Sequence, residues 1–296
     1  MDIIKMFEEE NIISPYKELI SYETLWTREG ATLKKISEYL KNIDLPSKAN
    51  FNLLEINKKE EIDLYFKNNP IDFSIITAKS YQYPIKLKDA KYQIKLLYYK
   101  GNLDLLEKPK RISIVGARKA SEMGLKRAAL LAKLLTDKKY VIVSGLAEGI
   151  DTAAMTKAIE NNGKVIGVIG TPITKYYPKK NKPLQDLIAK KHLLISHVPI
   201  YRYEYEHFNT KRFYFPQRNV TMAALSEATI IIEASDTSGT LTQARACMEM
   251  GRPLFILNSC FENPNIKWPH TYEKKGAIRV REIEDILKVL ENKNGK

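Results

Sequence analysis

The residues of this chain best equipped for chemistry lie between Arg111 and Gly124, in the stretch RISIVGARKASEMG. Ile112, Ile114 and Val115 form a short β-branched run, Gly116 ends it, Arg118 and Lys119 follow, and a helical pattern begins after Ser121. The chemistry this order supports is anion binding. The first amides of a helix lack intrahelical partners and sit at the positive end of the helix dipole, and a guanidinium offers a planar fork to phosphate. A dinucleotide-binding loop would carry a second glycine where Arg118 stands, so that backbone could approach a pyrophosphate. The loop therefore reads as phosphate-directed but not NAD-like.

Further loops of the same kind recur along the chain. Ser144-Gly145 closes an apolar run directly before a helical stretch and is expected to cradle an anion, while Gly149 could serve only to permit a turn. Asp151, followed at once by TAAMTKA, reads as a helix N-cap. Asp236-Thr237-Ser238-Gly239-Thr240 offers amides and hydroxyls at another strand end, suited to a phosphate or a neighbouring loop. Lys175, Lys179 and Lys180 add cations that could equally be solvated surface. His192, His197, His207 and His270 have no metal-ligand spacing, Cys247 and Cys260 form neither a disulfide framework nor a metal motif, and no metal or cofactor is expected. There is no Gly-Lys-Ser/Thr phosphate loop and no nucleophile elbow, so the residues for ATP or serine hydrolysis are missing and no catalytic residue is assigned.

The segment from Tyr201 to Asn219, YRYEYEHFNTKRFYFPQRN, interleaves aromatic rings with Arg202, Lys211, Arg212 and Arg218. Rings that stack on bases next to guanidinium groups suit a single-stranded nucleic acid; the alternative is core or subunit interface. Phe213 or Phe215 is expected to be buried, Arg218 to face the ligand edge, and a helix to open near Asn219.

These residues need a scaffold, and the hydrophobic pattern supplies one. From Arg111 onward apolar runs alternate with helical patterns, with strands expected at RISIV, YVIVSG, KVIGVIG, HLLISHVP, ATIIIEAS and PLFILN. That alternation predicts a doubly wound, mostly parallel α/β sheet, whose strand carboxyl ends line one edge where ligands bind. Residues 1–75 read as a small helical domain and 76–296 as the main domain, entered through the extended runs FSIIT and IKLLYYKG. A chain of 296 residues with 44% hydrophobic content can bury a core. Its net charge of +13 fits a polyanionic partner, although lysine-rich composition can arise for other reasons. The acidic N-terminus MDIIKMFEEE is unlike a signal peptide and no apolar run nears ~18 residues, so a cytoplasmic location without membrane contact is expected.

In order and spacing, Tyr83-Pro84, LYYKGN (97–102), IVGARKAS (114–121), VSGLAEGID (143–151), VIG (168–170), YYPKKN (176–181), FPQRN (215–219) and SGTLTQARACMEMGRP (238–253) resemble the DNA-processing protein A family, DprA or Smf. The resemblance covers about Ile71 to Asn258. It implies an extended Rossmann-like fold, a homodimer, sequence-independent binding of single-stranded DNA, and loading of the RecA recombinase during natural transformation, by a mediator that is not an enzyme. It also implies that Arg118 and Arg218 contact the DNA backbone. With the loops above, the expected binding set is Gly116, Arg118, Lys119, Ser144, Gly145, Lys175, Arg218, Asn219, Ser238, Gly239 and Thr240.

The chain departs from the family pattern in four places. Ala117 replaces a serine, Val220 replaces a second arginine, Ser196-His197-Val198-Pro199 lacks an acid, and the sequence ends after the amphipathic stretch REIEDILKVL with no winged-helix domain expected. Two other readings use the same crevice. A nucleotide monophosphate phosphoribohydrolase of the lysine decarboxylase-like group would need a glutamate where Gln243 stands, and an amide cannot act as a general acid or base. A sensor of a small nucleotide would need the phosphate cradle but no long basic and aromatic track.

Overall fold

The structure is a computed structural model that describes residues 13–108 and 110–293. Three helices come first: α1 (Pro15–Trp26), α2 (Leu33–Tyr39) and α3 (Leu53–Asn68). Each starts on a polar cap: Ser14 and Thr32 accept from the amide three residues on, and Asn52 and Glu55 satisfy each other's amides as a capping box.

The strands that follow are β1 (Ser74–Thr77), β2 (Leu96–Gly101), β3 (Arg111–Val115), β4 (Val141–Ser144), β5 (Val165–Ile169), β6 (Leu193–Ser196), β7 (Ala228–Ile231), β8 (Leu254–Leu257) and β9 (Ile278–Val280). They form one sheet in the order β1-β2-β6-β5-β4-β3-β7-β8-β9. From β6 to β9 every pairing is parallel; β2 runs antiparallel between β1 and β6. Strands β3 to β7 are buried at every position, as β-branched runs between two helical layers must be. The six strands expected from Arg111 onward are all present, and both extended runs became strands, with β1 straddling the 75/76 boundary. The ninth strand, only Ile278–Val280, is too short to show a period.

The connections are α4 (Glu122–Asp137) between β3 and β4, α5 (Ile150–Glu160) between β4 and β5, and α6 (Lys182–Lys191) between β5 and β6. The chain then returns across the sheet through α7 (Ile200–Tyr205), α8 (Phe208–Lys211) and α9 (Tyr214–Leu225) to β7. Helix α10 (Thr240–Glu249) links β7 to β8, and α11 (Asn258–Phe261), α12 (Trp268–Glu273) and α13 (Ile283–Lys293) complete the chain. Strand order grows one way from β3 to β6 and the other way from β7 to β9. The switch point therefore lies between β3 and β7, where an open α/β sheet parts to leave a crevice. This is an extended Rossmann-like, doubly wound fold.

Helix α9 opens at Tyr214 and not near Asn219. Pro216 is tolerated in a first turn, where its missing N–H would have no partner, so FPQR became the start of the helix. That shift decides which ring is buried: Tyr214 is 4% exposed, whereas Phe213 is 59% exposed and Phe215 only half-buried, contrary to expectation.

The N-terminal helices join the sheet through a buried acid. Glu23 of α1 is fully buried and accepts from the Tyr98 hydroxyl at 2.6 Å and from the amides of Ile200 and Tyr201 at 2.8 and 3.0 Å. Burial pushes its carboxyl up to about 7, against the three hydrogen bonds that favour the charged form. A carboxyl raised in the fold binds a proton more tightly there than in the unfolded chain. Its stabilising contribution is therefore complete below the unfolded value of 4.5 and is lost as pH rises to about 7. Chemical denaturation of the wild type is expected to show stability falling by a few kcal/mol across that window, and Glu23→Gln is expected to flatten the fall.

Candidate nucleic-acid interface

At the switch point the carboxyl ends of β3, β4 and β7 border a cleft of about 650 Å³. Its lining mixes buried Val115, Arg218 and Gln243 with exposed Arg118, Phe208 and Arg212. The loops reach one another by close backbone contact. Gly149 caps α5 at φ +76°, and a Cβ there would strike the carbonyl oxygens of Ala117 and Arg118. The Ile150 amide in turn donates to Ala117 O at 3.2 Å.

Arg218 projects from α9 into the centre of this arrangement and is 5% exposed. Its Nη1 donates to the carbonyl oxygens of Gly145 and, at 3.0 Å, Val168, and its Nε donates to Asn219 Oδ1 at 2.9 Å. Asp151, also buried, accepts from the Gly145 amide at 3.0 Å. Both groups shift toward their neutral forms. Burial lowers Arg218 to about 10, with Asp151 opposing and Arg118 adding to the fall; burial raises Asp151, with Arg218 opposing. Arg218 is still a cation at neutral pH. Gly145 lies between the two, and any Cβ there would overlap the guanidinium. Asn219 extends the network, donating from Nδ2 to Gly239 O at 2.9 Å, and Thr240 donates from its hydroxyl to Gly116 O at 3.4 Å.

A second carboxylate, partly exposed, lies at the start of α4. Glu233, just past β7, accepts from the Ser121 amide at 3.1 Å and from the Ser121 hydroxyl at 2.7 Å, while its own carbonyl accepts from the Ala117 amide at 2.7 Å. At two places where amides were expected to hold a phosphate an amide is thus already taken, Ser121 N by Glu233 and Gly145 N by Asp151.

Side chains in and around the cleft supply what the amides do not. The Arg118 guanidinium lies 5.6 Å from the centre of the Phe215 ring and Arg218 lies 6.0 Å from it. Tyr177 packs against the same ring at 5.3 Å, and Lys211 sits 4.5 Å from the Tyr203 ring. Phe208 is 83% exposed. Phe215 occupies the space a side chain at position 170 would need, so Gly170 is fixed by packing.

Seven of the expected binding residues line the cleft: Gly116, Arg118, Arg218, Asn219, Ser238, Gly239 and Thr240. Four do not. Ser144 is fully buried and donates to Ile114 O at 2.7 Å, because the last residue of β4 still points into the sheet. Gly145 has its amide on Asp151 and its carbonyl on Arg218. Lys175 pairs with Glu204 at 2.6 Å, and Lys119 borders a separate, smaller cavity beside Glu233. Asp151 is not the α5 cap, since Gly149 takes that position. Arg202 is also diverted, to Glu206 at 3.0 Å and Trp26 O at 2.8 Å. Tyr177, Phe208 and Asn209 were not singled out as binding residues; the aromatic run from Tyr201 was the available signal for Phe208 and its neighbour.

Comparison with known proteins gives the same picture. The sequence pattern of the family described as DNA recombination-mediator protein A matches residues 74–291. The chain is 40% identical over 210 residues to DNA processing protein DprA of Streptococcus pneumoniae, covering 71% of each protein. It is 34% identical over 219 residues to DprA of Bacillus subtilis, covering 74% of this chain and 72% of that one. In structure it is similar to DprA from Streptococcus pneumoniae, with a TM-score of 0.76 at 32% identity over 93% of this chain and 98% of that one. It is also similar to DNA processing protein A from Helicobacter pylori, described for its single-stranded DNA binding mode, with a TM-score of 0.62 at 27% identity over 75% of this chain and 98% of that one. With its nine-stranded fold, switch-point cleft and matched residues 74–291, the chain belongs to the DNA recombination-mediator protein A family.

Proposed function

We propose that the protein binds single-stranded DNA in this cleft without regard to sequence and loads a RecA-type recombinase onto it, in natural transformation or recombination. The observation that carries the reading is the pairing of accessible cations with aromatic rings at the cleft: Arg118 against Phe215, and Lys211 against Tyr203. Rings offer every base a stacking face, and cations beside them meet the backbone. The Helicobacter pylori relative, described by its single-stranded DNA binding, supports the same ligand. The protein acts as a mediator without catalysis, as a homodimer, in the cytoplasm. No helix among the described residues is long and apolar enough to cross a membrane, which is compatible with that location.

The alternatives lack support from the same site. A small-nucleotide sensor would use the amide cradles that Glu233 and Asp151 fill. A phosphoribohydrolase would need an acid at position 243, where Gln243 is fully buried with Nε2 3.3 Å from the Thr229 hydroxyl.

Fluorescence anisotropy of a labelled single-stranded oligonucleotide tests the proposal. Binding is expected to weaken steeply with salt, to survive excess mononucleotide and to exceed binding of duplex. Binding that a mononucleotide displaces, or that treats duplex and single strand alike, would overturn it. Phe215→Ala is expected to lower affinity by about 1–3 kcal/mol for all base compositions, the usual worth of one stacked base.

A further inference from the structure

The cleft has one wall that does little to hold itself in place. Helix α8 buries no residue, yet it and its flanks carry Tyr203, Phe208, Asn209, Lys211 and Arg212 to the cleft. Its position depends on its neighbours, α7 and α9. Helix α7 follows Pro199, which provides no side-chain cap, and so its first amides lack intrahelical partners. Glu23, more than 170 residues earlier in sequence, fills that role: Oε1 takes the Ile200 amide and the Tyr98 hydroxyl, and Oε2 takes the Tyr201 amide.

Other N-terminal residues hold the same short segment. Trp26 O accepts from Arg202 Nη1 at 2.8 Å, Glu61 accepts from the Tyr201 hydroxyl, and Tyr65 meets the Tyr201 ring edge-on at 5.3 Å. The Trp26 ring also lies 6.3 Å from Tyr214, the buried residue that anchors the start of α9. The α7 end of the exposed wall is therefore fastened to α1 and α3 and the α9 end to α1, and among the described residues only Glu23 satisfies backbone groups of α7 and a strand residue at once.

We propose that Glu23 is a positioning residue for the nucleic-acid cleft: by capping α7 from α1 it fixes the wall from Tyr203 to Arg212, which makes the N-terminal helices part of the binding apparatus. This rests on the single-stranded DNA reading of the cleft. Glu23 itself touches no nucleic acid, and its effect passes through the amides of Ile200 and Tyr201.

The test uses full-length Glu23→Ala and Glu23→Gln, with native circular dichroism confirmed, and two readouts: anisotropy with a single-stranded oligonucleotide, and hydrogen exchange without ligand. Glu23→Ala is expected to weaken binding by roughly twofold to thirtyfold with the salt slope unchanged. Exchange should accelerate in residues 200–213 well beyond any change in β3 to β5. Glu23→Gln, which keeps the shape and one acceptor, should recover much of the affinity. Wild-type affinity in folded Glu23→Ala, or exchange that accelerates evenly through the sheet, would overturn the proposal and leave Glu23 a stabilising residue only. If Glu23→Ala does not fold, Glu23→Met, which fills similar space without an oxygen acceptor, is judged by the same criteria. If the wild type binds no oligonucleotide the functional reading fails by itself, and exchange in 200–213 still tests the positioning role.

Discussion

The site is organised by the burial of a guanidinium. Arg218 is held away from water, and a buried cation is tolerable only where each side of its fork finds an acceptor. Meeting that demand fixes the geometry of three strand ends. The carbonyls of Gly145 and Val168 must converge on one nitrogen, Asp151 must sit close enough to balance the charge, and Asn219 must turn its oxygen inward and its amide toward Gly239. The absence of a side chain at Gly145 follows from the same contact. A residue that looks like a ligand-facing arginine thus acts as the rivet between α9, the loop after β4 and strand β5.

The chain's own carboxylates also shape what the cleft can accept. Asp151 and Glu233 each take a loop amide that could otherwise meet a phosphate. What remains for a ligand is carried by side chains: exposed Arg118, the Lys211 and Arg212 pair, and the rings of Tyr177, Phe208 and Phe215. Such a surface is broad, cationic and sequence-blind, which suits a strand passing through better than a single nucleotide locked in place.

Much of this was legible in the sequence. Strands β3 to β8 announce themselves through β-branched runs, the crevice follows from their alternation with helices, and the basic-aromatic run from Tyr201 supplies Tyr203, Phe208, Lys211, Arg212 and Phe215 to the cleft, though not Arg202 or Phe213. Most of the misreadings come from side-chain direction set by distant partners, and one from a local helix start. Ser144 looks like a cradle residue, but the partner that turns it inward is Ile114, on a neighbouring strand. Lys175 looks like a phosphate ligand until Glu204 is brought beside it. Phe213 and Phe215 lost the core position to Tyr214 because Pro216 let the helix start earlier. Nothing local to Glu23 shows that it caps a helix on the far side of the sequence.

The salt dependence of single-stranded oligonucleotide binding, compared between Arg118→Ala and Arg218→Ala, tests the division of labour between the two arginines most directly. Arg118→Ala is expected to reduce the slope of log K against log salt by about 0.7 to 1, the loss of one phosphate contact. Arg218→Ala is expected to lower the unfolding temperature and the affinity while its residual binding keeps the wild-type slope. An Arg218→Ala slope reduced as much as that of Arg118→Ala, or an Arg118→Ala slope equal to wild type, would contradict the account.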